Sequence, residues 1–127
     1  MQAEAGAAHR IDNPCVLEVV RQVTQALAAP ARIGLVLTDR PAVALCLANR
    51  RASIRAAWGV SAASVRAATE QIGANLLVVN PAEHGFSELR GMIREFLLPG
   101  MVLGIGYIVY GFIAPRFVAA PAAERTS

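Results

Sequence analysis

The 127-residue chain contains no lysine; all 12 of its basic side chains are arginine. They are scattered, and Arg50 and Arg51 form the one adjacent pair. Aromatic residues make up only 6% and the net charge is a modest +3. The sequence therefore lacks both the basic stripe and the stacking platform of a nucleic-acid module, and no nucleic-acid partner is expected. Cysteine is nearly absent. Cys15 and Cys46 are too few and too far apart for a zinc site or a CxxC redox pair, and they read as two small buried thiols in a reducing compartment. His9 and His84 have no Cys or carboxylate partner at metal-ligand spacing, so neither a metal nor a cofactor is expected. The first 12 residues have no apolar core of a secretory signal and read as a short mobile tail.

Charge is missing altogether from residues 96–115, whereas residues 1–95 carry ten arginines and eight acidic groups. The 55% hydrophobic content, of which 25 residues are alanine, excludes global disorder. The length allows one core.

The first candidate element opens at Asn13-Pro14, an N-cap followed by a first-turn proline. Val16, Val19, Val20, Val23 and Leu27 then recur at helical spacing until Pro30. Ile33–Leu37 is an almost unbroken apolar run, as in a strand covered on both faces. Ala42–Asn49 is apolar nearly all round and predicts a buried helix. Ser53–Trp58 is a weaker strand. Ser61 caps a helix through Ile72, with Gly73 placed to end it. Asn75–Asn80 is a third buried strand. Ser87–Leu98 places Leu89, Met92, Ile93, Phe96 and Leu97 on one helical face.

Short buried strands alternating with helices predict an α/β fold: a small three-stranded parallel, Rossmann-like half-domain with flanking helices. Such a sheet has two open edges, so a homo-oligomer or a partner chain is expected to cover them. The expected divisions are a tail (1–12), the α/β domain (13–98), a hydrophobic segment (99–115) and a tail (116–127).

The stretch from Gly34 to Leu97 resembles the C-terminal half of the ribose-5-phosphate isomerase B / galactose-6-phosphate isomerase family. The resemblance rests on Gly34-Leu35-Val36-Leu37, Leu47-Ala48-Asn49-Arg50, Ile54-Arg55-Ala56-Ala57, Ala74-Asn75-Leu76-Leu77 and the helix ending in Phe96-Leu97, in that order and spacing. It implies an aldose–ketose isomerase ancestry. In that family the strand ends in Cys-Gly-Thr-Gly-x-Gly, with the cysteine as base and glycine-turn N–H groups holding the enediolate oxygen. An oxyanion needs several converging donors and close backbone approach. Here the matching positions begin with Thr38, Asp39, Arg40 and Pro41. The thiol is replaced, the glycines are gone and Pro41 has no N–H. The family's His-Asn pair falls at Gln71 and Ile72, and its phosphate-holding arginine at Ala82.

The residues left to examine are Thr38, Asp39 and Asn49 as catalytic candidates, and Arg40 and His84 as phosphate-binding ones. Asn49 also reads as an ordinary helix end and His84 as a loop residue before an N-cap. The resemblance thus implies a sugar-phosphate isomerase-like protein that has lost catalysis and acts as a binding or assembly module, with a phosphosugar as candidate ligand. The alternative is an active isomerase with a rebuilt site, or one completed by a partner chain.

Phe96–Pro115, FLLPGMVLGIGYIVYGFIAP, is long enough to span a bilayer as a helix of about 30 Å. It is expected to form a C-terminal hydrophobic helix. One reading is a membrane anchor with the α/β domain cytoplasmic, since Arg90 and Arg94 precede it and Arg116 alone closely follows. The other is an apolar arm packed on a partner subunit.

Overall fold

A computed structural model describes residues 7–12, 15–29, 32–102 and 107–112. The described elements run β1 (Ala7–Asp12), α1 (Val16–Ala26), β2 (Arg32–Leu37), α2 (Pro41–Ala48), β3 (Ala56–Trp58), α3 (Ala62–Ile72), β4 (Leu76–Val79), a 3-10 turn (Pro81–Glu83), α4 (Phe86–Val102) and β5 (Tyr107–Phe112). The fold is α/β, with the three expected strands β2, β3 and β4 paired in parallel and helices flanking them. Asn13, Pro14 and Pro30 lie outside the described residues.

Two further strands enlarge the sheet. Its order is β1-β5-β2-β4-β3, all parallel. Ala7–Asp12, expected within a tail, is the strand β1. The expected hydrophobic helix over 99–115 is corrected as well. Helix α4 runs on to Val102, and Tyr107–Phe112 is a strand between β1 and β2. An apolar run has the same periodicity in a buried strand and a buried helix. Here Tyr107-Ile108-Val109-Tyr110 has the β-branched and aromatic content of a strand. Among the described residues no helix is long and apolar enough to cross a membrane. The edge of β2 away from β4 is paired by β5 of the same chain.

The connections explain the layers. From β1 to β2 to β3 the chain moves one way across the sheet; from β3 to β4 to β5 it returns. With crossovers of one hand, the outward and return helices fall on opposite faces. The cores agree. Val19, Val20 and Val23 of α1 and Ala44 and Ala48 of α2 pack with Val36, Leu76 and Val78. Val65 of α3 and Met92 and Phe96 of α4 pack with Ile33, Leu77 and Val79 on the other face. Every residue of β4 is buried, as in a strand covered on both sides.

Local chemistry sets the ends. The Ser64 N–H donates to Ser61 Oγ at 3.1 Å and the Ser61 N–H to Ser64 Oγ at 3.0 Å, a reciprocal cap on α3. Gly73 ends α3 at φ +62°, where a side chain would be strained. Strand β3 is shorter than the expected Ser53–Trp58 because Asn75 takes over its start. The Arg55 N–H donates to Asn75 Oδ1 at 2.7 Å, and Asn75 Nδ2 donates to Ser53 O at 3.0 Å.

Helix α2 is not buried all round: Pro41, Ala44 and Ala48 face the core, while Ala42, Val43 and Cys46 are exposed. Alanine makes a helix look apolar on every side without requiring burial. Both cysteines are exposed, contrary to the expectation of buried thiols. Cys15 is the N-cap of α1, ahead of its core-facing turn, and Cys46 lies on the outer side of α2.

Candidate functional site

In an open parallel sheet, ligands bind beyond the carboxyl ends of neighbouring strands whose following helices lie on opposite faces. Here those strands are β2, which leads to α2, and β4, which leads to α4. The topology places such a crevice between Thr38-Asp39-Arg40-Pro41 on one side and Asn80-Pro81 to His84 on the other.

Thr38 is fully buried. Its N–H donates to Val79 O at 2.9 Å, which ties the ends of β2 and β4 together. Its hydroxyl accepts the Arg40 N–H at 2.9 Å, a short side-chain turn that leads the chain into α2. Pro41 follows at the first helical position, where the missing N–H costs nothing. Arg40 is the N-cap of α2 and is exposed, while Asp39 between them is half-buried. Of the N–H groups in this turn, those of Thr38 and Arg40 are spent inside the protein and Pro41 has none.

On the β4 side, Asn80 is buried and was not singled out in the sequence. Its Oδ1 accepts the Ala82 N–H at 3.1 Å and its carbonyl accepts the Glu83 N–H at 3.1 Å, which builds the 3-10 turn. A polar residue directly after a buried apolar run, followed by proline, was the available signal. The His84 side chain is only 10% exposed, and its Nδ1 lies 2.8 Å from Glu88 Oε1 one turn into α4. Glu88 is half-exposed and belongs to the first turn, where an acidic group also suits the helix dipole.

The structure thus brings Thr38, Asp39, Arg40 and His84 to one end of adjacent strands. It does not bring Asn49 there. Asn49 ends α2 at the opposite end of the sheet, where its Oδ1 accepts the Ala56 N–H at 2.9 Å and its Nδ2 donates to Ala56 O at 3.2 Å. Strand β3 is a sheet edge, and this amide pairs with the edge's outward backbone groups as another strand would. Asn49 is therefore a structural residue. Gln71 and Ile72 are exposed at the end of α3, and Ala82 is exposed in the 3-10 turn.

Among the described residues no cluster of His, Cys, Asp and Glu could hold a metal ion. The chemistry open to the crevice is limited. Its hydroxyl is buried and engaged, and its histidine faces a carboxylate. Arg40, at the N-terminus of α2, is exposed. No protein-family model, curated protein or solved structure matches the chain.

Proposed function

We propose that this protein is a non-catalytic relative of the sugar-phosphate isomerases, a Rossmann-like module that binds rather than converts its ligand. The observation that carries the reading is the turn after β2. Isomerisation of an aldose needs a base beside the substrate and N–H donors converging on the developing oxyanion. The residue at the base position, Thr38, is fully buried with its hydroxyl taken by Arg40, and its own N–H is taken by Val79. Proline at position 41 removes a further donor.

What supports retained binding is Arg40 at the start of α2, where the dipole and the guanidinium favour an anion together. The ligand expected there is a phosphosugar held by its phosphate. The purified chain, assayed with ribose 5-phosphate, is expected to show no isomerisation above the buffer rate. It is also expected to show a rise in melting temperature at millimolar phosphosugar that Arg40→Ala abolishes. Turnover that disappears in Thr38→Ala would reverse the reading. Absence of any melting shift would remove the phosphosugar.

A further inference from the structure

Away from the crevice, helices α1 and α2 lie side by side on one face of the sheet and share one core. Between them runs a groove of about 200 Å³ lined by Leu17, Val20, Arg21 and Thr24 of α1 and by Leu47, Arg50 and Arg51 at the end of α2. Its volume is below the 300–1,000 Å³ typical of small-molecule pockets. It is suited instead to one or two side chains of a larger partner.

The floor is apolar. Leu17 is 57% exposed beside the buried Val20 and the half-buried Leu47. Thr24 adds no free polar group, since its hydroxyl donates to Val20 O at 2.8 Å. The rim is basic. Arg21 is paired along its own helix with Glu18, which also accepts from Gln22 at 2.8 Å, so the acidic group of this region is already neutralised. Arg50 and Arg51 are exposed, and among the described residues neither guanidinium has a hydrogen-bond or ion-pair partner.

We infer that this groove docks an acidic amphipathic helix of a partner protein. An apolar anchor would enter beside Leu17 and Leu47, and carboxylates on its flanks would meet Arg50 and Arg51. Charge favours this occupant over the C-terminal residues of the chain and over the same groove of a second copy. Residues 113–127 carry two arginines and one glutamate, and a second copy would present the same basic rim. The inference is independent of whether the crevice binds a phosphosugar, because the two places share no residue.

The test titrates the full chain with a synthetic helical peptide of about 18 residues, long enough to follow α1. The peptide carries leucine at i, i+3 and i+7 with glutamate on the flanks. Saturable one-to-one binding is expected, with amide shifts confined to residues 17–24 and 47–51. The double variant Arg50→Glu/Arg51→Glu is expected to weaken it at least about tenfold, and added salt to weaken it further. Leu17→Ala, which keeps every charge, is expected to weaken it as well. The double variant Arg50→Gln/Arg51→Gln repeats the measurement should charge reversal lower the melting temperature.

Absence of saturable binding would overturn the inference. So would equal affinity for a peptide with lysine in place of glutamate, or for the arginine variants. Arginine-dependent binding to phosphatidylserine vesicles without binding to the peptide would assign the groove to a lipid surface instead. Loss of the phosphosugar melting shift bears on the crevice alone.

Discussion

The two helical layers of the sheet are built from the same kind of element yet differ in how they close. On one face α3 and α4 are cross-linked. Arg66 Nε and Nη2 donate to Glu95 Oε1 and Oε2 at 3.1 and 2.9 Å, and Gly91 gives α4 a flat side towards Ala62. On the other face the polar side chains of α1 bond along their own helix, Arg21 to Glu18 and Gln25, and Gln22 to Glu18. Both layers cover a buried sheet surface, but one is tied across its helices and the other leaves a lined groove between them. Ion pairing by itself says little about stability at an exposed site. Its direction, along a helix or between helices, says more about which surface remains open to a partner.

The largest effect expected is on the closed face. Met92 is fully buried against Leu77 and Val79, and Met92→Ala should lower stability by about 2–5 kcal/mol in chemical denaturation. A change near zero would mean that the closed layer is not closed. The open face should prove equally tight beneath its groove. A Cβ at Gly34 would sit 2.8 Å from Leu76 Cδ1 and 3.1 Å from both Leu27 and Val23, so Gly34→Ala should cost about 1–3 kcal/mol.

Acid sharpens the contrast more gently. The Arg21 and Gln22 side chains hold the Glu18 carboxyl at about 2, down from its ordinary 4.5, and Arg66 lowers that of Glu95. Depressed carboxyl groups contribute fully above the unfolded value and lose that contribution as pH falls through the folded one. Thermal midpoints should therefore fall between about pH 4.5 and 2. Glu18→Gln and Glu95→Gln should each reduce that fall, and salt should reduce it in the parent. The smallest effect is expected at the groove itself. Leu17→Ala should change stability by no more than about 0.5 kcal/mol, because its side chain is mostly in water.

Strand β4 was legible because every residue is buried, and β2 because its apolar run is buried or half-buried throughout. Helix α3 was legible from its ends, Ser61 and Gly73, whose roles are set by local backbone geometry. Strand β1 was not. Ala7-Ala8-His9-Arg10 has no strand pattern of its own, and its conformation comes from pairing with residues a hundred positions away. Strand β5 was misread because its apolar run suits a helix and a strand equally.

The site divides in the same way. That Thr38, Arg40 and His84 would gather at strand ends followed from the order of elements. That Asn49 serves Ala56, and that His84 faces Glu88, depended on partners that spacing does not identify.

The insertion of β5 between β1 and β2 also dictates an order of events during synthesis. Ala7 pairs with Tyr107 and Leu37 with Phe112, so the middle of the sheet waits for the last described strand. At roughly 5–20 residues per second, β2 spends about 4–15 s with one edge unpaired before Phe112 is even made. Contacts this distant slow folding and leave that edge open to the wrong strand. The edge of β2 is thus more open to mispairing in the nascent chain than in the finished sheet.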